Sequence, residues 1–192
     1  KEFDLPESIA TIMSIKKINS KKISRTFFYS DIKNMHSPLL MKDMEKAVER
    51  VLSAKNSNQI ILIIGDYDTD GTTAASVLHL YFQSIGIKSY FYIPHRQKEG
   101  YGISKTAIDY GIKIGANLII SCDCGITAIE QIDYANENDI DFIITDHHKQ
   151  KEVLPNAYAI LNPNQNECNY PFKGLCGAGV AFKLCLGIND RL

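Results

Sequence analysis

The unbroken apolar run Ile60-Ile61-Leu62-Ile63-Ile64 leaves no polar face, the pattern of a strand covered on both sides in a buried parallel sheet. From there onward strand-like runs alternate with segments whose apolar residues recur at helical spacing. Strands are predicted over 60–65, 88–93, 117–122 and 141–145, with a shorter candidate at 157–161. Helices are predicted over about 72–85, stopped by Gly86, and over 104–110, 127–136 and 177–186. Upstream, Ser37 offers an N-cap, Pro38 suits a first helical position, and Leu40, Met44, Val48, Val51 and Leu52 keep helical spacing to about Ala54. Strands joined by helices of this length call for right-handed crossovers. The expected fold is α/β, a doubly wound, mainly parallel sheet with helices on both faces. Ligands of such sheets bind beyond the carboxyl ends of the strands.

Residues 1–36 show little period and form an amino-terminal arm ahead of a domain spanning 37–192. In the arm, Lys16, Lys17, Lys21, Lys22 and Arg25 precede Phe27, Phe28 and Tyr29. A basic, aromatic segment could touch a nucleic-acid strand, but the favoured reading is a solvated arm whose aromatics pack on the body.

Composition narrows the class without naming a substrate. With 192 residues, 45% of them hydrophobic and 22% charged, the chain can bury a core as an ordinary globular protein. A net charge of -1 gives no overall pull toward nucleic acid or membrane, so any polyanion must be met by a local groove. Five cysteines, an odd number at irregular spacing, do not make a disulfide framework and point to a reducing cytoplasm. No run approaches the roughly eighteen apolar residues of a membrane span, and Lys1 to Ser20 lacks the apolar middle of a signal peptide. A first residue that is not Met, and an end at Leu192 soon after an apolar segment, read as a piece of a longer protein.

The chemistry gathers at the strand ends. Asp66, Asp68 and Asp70 follow the first strand at every second position, which in an extended chain points them one way, roughly 6 to 7 Å apart. Unpaired anions so close raise one another's pKa, so the arrangement calls for a cation among them. Strand 117–122 ends in Asp123, and strand 141–145 ends in Asp146-His147-His148. A parallel sheet brings those ends to one edge. Carboxylates with imidazole and without thiolate suit Mn²⁺ or Mg²⁺ better than Zn²⁺ or Fe²⁺. Two such ions bridged by one carboxylate would clamp an in-line displacement at phosphorus.

Other readings fit less well. Asp66 to Gly71 matches the opening of an EF-hand calcium loop, but the twelfth position is Val77 rather than Glu and a strand precedes it. Adjacent histidines alone would be surface residues; beside four acids at strand ends they favour the metal. Cys122 and Cys124 are separated by one residue, and Cys168, Cys176 and Cys185 are too widely spaced for a zinc knuckle. The glycines at 174, 177 and 179 follow no strand directly and are read as allowing close packing of the last helix. No Gly-x-x-x-x-Gly-Lys-Ser/Thr loop is present, so P-loop ATP hydrolysis is not indicated.

Asp66-Tyr-Asp-Thr-Asp-Gly71, Asp123 within Ser-Cys-Asp-Cys-Gly, and Asp146-His147-His148 resemble the first three motifs of the DHH phosphoesterase superfamily. Three further stretches, Tyr92-Ile-Pro-His-Arg96-Gln-Lys98-Glu99-Gly-Tyr-Gly, Leu161-Asn-Pro163 and Tyr170 to Lys183, look like its RecJ branch of bacterial exonucleases. The resemblance runs from about Ser37 to Leu186. It implies metal ligands at Asp68, Asp70, Asp123 and His147, with Asp123 as the bridge. It places His148 on the scissile phosphate as a catalytic and substrate-binding group, and Asp66 and Asp146 as catalytic-site groups that orient ligands. Arg96 is implied as a phosphate-gripping arginine, the competing reading being an ion pair with Glu99.

The implied activity is metal-dependent hydrolysis of single-stranded DNA from its 5′ end, in DNA repair and recombination, with Mn²⁺ or Mg²⁺ as cofactor. Single-strand-binding protein and helicase are implied partners, in the cytoplasm and off the membrane. The family's fourth motif, with its further aspartate, and a second domain do not occur before Leu192, so the fragment is expected to be weakly active or inactive. The alternatives are a phosphodiesterase acting on oligoribonucleotides or cyclic dinucleotides, and a catalytically silent replication scaffold.

Overall fold

The computed structural model describes residues 5–192 and falls into two compact units divided between Met35 and His36. The larger unit is built on five strands: β1 (Ile60–Gly65), β2 (Ser89–Tyr92), β3 (Ala116–Cys122), β4 (Asp141–Thr145) and β5 (Ala159–Leu161). They pair in the order β2-β1-β3-β4-β5, every pair parallel. The chain therefore steps outward from β1 in one direction and from β3 in the other. Between these two strands the helices at the sheet end diverge, opening the crevice in which doubly wound folds hold ligands.

The smaller unit holds α1 (Glu7–Ile15), α2 (Lys21–Phe28) and a 3₁₀ turn at Ile32–Asn34. The larger adds α3 (Met44–Asn56), α4 (Thr69–Ser84), α5 (Lys105–Ile114), α6 (Ile129–Glu137) and α7 (Gly177–Asn189). Alternation along the strands splits the core in two. Ile61 and Ile63 face a layer built by Val48 and Val51 of α3, Leu78 and Phe82 of α4 and Leu184 and Ile188 of α7. Leu62, Ile64 and Ile119 face Ala107 and Ile108 of α5 and Ile132 and Ala135 of α6. At the amino ends of the strands, the buried guanidinium of Arg50 on α3 donates to Asp141, Gln59 and the Asn117 carbonyl, tying that helix to the edge away from the acids.

The structure departs from the pattern in three places. The helix expected over 37–54 is interrupted: Ser37 caps only a 3₁₀ turn at Pro38–Leu40, and α3 begins at Met44 after Asp43 adopts a left-handed φ of 61°. α4 begins at Thr69, ahead of the expected start at 72, because the Asp68 carboxylate accepts the Gly71 N–H at 2.9 Å and serves as its cap. Residues 1–36, read as aperiodic, contain α1 and α2, the second capped by the Ser20 hydroxyl. Within the smaller unit the Phe27 and Phe28 rings meet edge to face at 5.2 Å.

Candidate metal centre

The sheet ladder runs one residue past its strands. The Asp66 N–H donates to the Cys122 carbonyl at 3.2 Å, Asp123 to Thr145 at 2.8 Å and Asp146 to Leu161 at 3.0 Å. Because Gly65, Cys122 and Thr145 are in register, these acids stand in a single row across the crevice. All three are buried, at 1%, 2% and 1% exposure.

Asp123 occupies the middle of the row in a left-handed conformation with φ 62°. One oxygen, Oδ1, lies 3.0 Å from His147 Nε2 without hydrogen-bond geometry and is otherwise unpartnered; Asp66 Oδ1 is a second buried oxygen without a donor. A buried carboxylate oxygen without a donor is costly, and a cation is the partner that would relieve it. Two sets of ligand atoms lie within 4.8 Å of one another: Asp66, Asp68 and Asp123, and Asp123, His147 and His148. Asp123 belongs to both. This is a donor set of oxygen and imidazole nitrogen, which suits Mn²⁺ or Mg²⁺.

Asp70 is turned differently. Its two oxygens accept the N–H groups of Gly177 and Ala178 at 2.7 and 2.8 Å, at the start of α7, and Oδ2 stands 3.6 Å from His147 Nε2. It borders the two sets without joining either, while Asp66, expected only to orient ligands, lies within one. Gly177 makes this approach possible, since a Cβ there would lie 2.5 Å from Asp123 Cβ. Close packing was the role expected of that glycine.

Asp146 acts through hydrogen bonds: Oδ1 accepts the N–H groups of His147 and His148 at 2.7 and 3.0 Å and meets His148 Nδ1 at 2.8 Å, while Oδ2 accepts the Ile126 N–H at 3.0 Å. With Nδ1 on Asp146, His148 directs Nε2 away from it. Arg96 makes no ion pair with Glu99; its guanidinium lies over the Tyr67 ring at 5.2 Å. Glu99 instead accepts the His95 N–H, the Tyr92 hydroxyl and the Ser104 hydroxyl at 2.8, 2.9 and 2.6 Å.

The electrostatics follow from burial and crowding. Burial, with Asp70 and Asp68 nearby, pushes Asp123 up to about 7, and burial raises Asp66 as well. Burial would raise Asp70 too, but the Ala178 and Gly177 N–H groups outweigh it and hold this acid below its usual range. For His148, burial opposes the charge and the Asp146 hydrogen bond overcomes it, so its pKa rises. Burial lifts Cys122 up to about 12 and pushes Cys124 well above an ordinary thiol, so both stay protonated and offer no thiolate.

Sequence reasoning gave no role to Tyr101, whose hydroxyl lies 3.5 Å from His148 Nδ1, or to Tyr67 beneath Arg96. Tyr101 stands between Gly100 and Gly102, both at positive φ, a loop shape whose target the sequence does not reveal.

Residues 60–191 match the family described as DHH family, N-terminal domain. The chain is 39% identical over 184 residues to the single-stranded-DNA-specific exonuclease RecJ of Bacillus subtilis, covering 96% of this chain and 23% of that protein. It is also 39% identical over 153 residues to the protein of the same name from Escherichia coli, covering 79% and 26%. The crystal structure of an exonuclease RecJ bound to manganese superposes with a TM-score of 0.74 at 29% identity, over 81% of this chain and 40% of the other. The chain thus spans about a quarter of the length of the curated relatives it matches.

Proposed function

Because this chain belongs to the DHH family, whose amino-terminal domain its residues 60–191 match, we propose that it carries the catalytic half-site of a single-stranded-DNA exonuclease. The proposed reaction is metal-dependent hydrolysis of the terminal phosphodiester, from the 5′ end, in DNA repair and recombination. The observation that carries the reading is Asp123: buried, with an unpartnered oxygen, and common to two groups of ligand atoms. The relatives named for this activity, and the manganese in the superposed structure, support it.

Asp68, Asp70, Asp123 and His147 are proposed as the metal-holding residues, with Asp66 beside them in the first group. Mn²⁺ or Mg²⁺ bound there would polarise the phosphate and acidify water. Asp146 orients His148, whose raised pKa suits it to donate to a phosphate oxygen as charge grows. Arg96, free of Glu99 and braced on Tyr67, has its planar fork available for a second phosphate. The domain at 37–192 is proposed to act in the cytoplasm with the remainder of a longer protein, and single-strand-binding protein and helicase are proposed partners. No helix among the described residues is long and apolar enough to cross a membrane.

In the longer protein, Asp123→Ala is expected to abolish release of nucleotides from a 5′-labelled single strand while circular dichroism and melting remain close to wild type. Cleavage retained in manganese buffer would remove Asp123 from the reaction. The same assay on a dinucleotide separates the exonuclease from a small-substrate phosphodiesterase: preference for the dinucleotide would overturn the proposed substrate.

A further inference from the structure

The row past the strand ends has a fourth member. Leu161 pairs with Thr145, so Asn162 stands beside Asp146 as Asp146 stands beside Asp123. Here the acid gives way to an amide. Asn162 is fully buried; its Nδ2 donates to the His148 carbonyl at 2.8 Å, and its Oδ1 accepts the Asn164 N–H at 2.8 Å. Asn164 in turn donates from Nδ2 to the His147 carbonyl at 2.7 Å. Asp146 takes the N–H groups of the same two histidines from the other side.

All four backbone polar groups of the His147–His148 pair are therefore held by three side chains, at a point where the chain lies in neither strand nor helix. Backbone groups outside secondary structure ordinarily turn to water, and a turn held only by water samples many orientations. The carbonyls also dictate the residue type. A carboxylate at 162 or 164 would set its oxygen against theirs, whereas an amide supplies the donor each one lacks.

We infer that Asn162 and Asn164 are positioning residues for the two histidines. Through the carbonyls they hold His147 with Nε2 toward Asp123, and they hold His148 where its ring meets Asp146. Neither amide touches reacting atoms, and the inference rests on reading the site as a metal centre.

Asn164 is exposed, so its truncation spares the core. Mn²⁺ is titrated by calorimetry into the 192-residue chain and into its Asn164→Ala, Asn164→Leu and Asp123→Ala variants. Melts and histidine-ring NMR spectra are recorded without metal. Both Asn164 variants should bind Mn²⁺ about tenfold more weakly, since Leu restores bulk but not the donor, with displaced His147 ring signals and nearly unchanged metal-free melting. Unchanged affinity in both, while the wild type binds, overturns the inference and leaves the metal centre standing. Absence of binding by the wild type overturns both. Where an Asn164 variant melts much earlier, the ring spectra decide: unmoved His147 signals overturn the inference, and displaced ones support it.

Discussion

Gly177 brings the first turn of α7 against Asp123, and from there its N–H and that of Ala178 donate to the Asp70 carboxylate. An alanine Cβ would sit 2.5 Å from Asp123 Cβ and 2.6 Å from its Oδ1, contacts that backbone or a buried acid must give way to relieve. The helix-propensity gain of alanine, about 1 kcal/mol, is smaller than the usual overpacking cost of about 1–3 kcal/mol. Gly177→Ala is therefore expected to destabilise the chain in denaturant melts and to weaken Mn²⁺ uptake. Gly179→Ala is the contrast, because its new methyl meets the mobile end of Leu175 at 3.1 Å and leaves Asp123 alone. Equal losses from the two substitutions would show that α7, rather than the approach at 177, carries the effect.

The segment from Ile93 to Ser104 has no regular structure beyond short turns, yet it delivers Arg96 and Tyr101 to the crevice. Glu99 shapes it, gathering the His95 N–H, the Tyr92 hydroxyl from β2 and the Ser104 hydroxyl that caps α5. Burial would raise this acid, but those donors hold it below its usual pKa, so it is an anion serving three hydrogen bonds. Glu99→Gln puts an NH₂ where an acceptor is needed. In the longer protein it should raise KM for single-stranded DNA several-fold with a smaller change in kcat, as expected when binding is loosened and chemistry spared; kcat falling as steeply as kcat/KM would contradict that. None of these bonds could be read beforehand. The strands were legible because β1, β3 and β4 are buried on both faces and their apolar runs have no competing pattern. The helices α1 and α2 were not: Ile9, Ile12 and Met13, and Ile23 and Phe27, do recur at helical spacing, but over only 9 and 8 residues, shorter than the stretch of roughly 11 to 18 on which that periodicity is read.

At the scale of the molecule, the site exists because three segments distant in sequence end at one register of one sheet. That convergence was legible from carboxylates placed directly after apolar runs. The division of labour was not, since whether Asp66 or Asp70 joins Asp123 depends on α7, whose N–H groups claim Asp70. The crowding has a consequence for the whole fold. Asp123, usually 3.8, sits at about 7 in the folded chain, and Asp66 is raised in the same sense, so between about pH 4 and 7 the native state binds more protons than the unfolded one. Stability should fall as pH rises through that window. His148 adds to the trend, because its raised pKa stabilises the fold at low pH and that contribution is lost as pH climbs through it. Asp70 and Glu99, both lowered, work in the opposite sense, but their contributions are lost only at the acid end, below the usual carboxylate values of 3.8 and 4.5. Mn²⁺ competes with protons for these acids, so its stabilisation should grow with pH. Melting temperatures in EDTA should decline from about pH 4.5 to about pH 7.5, and excess Mn²⁺ should add little at the lower value and most at the higher. A melting temperature that is flat or rising in EDTA would mean that the acid row does not strain the metal-free fold.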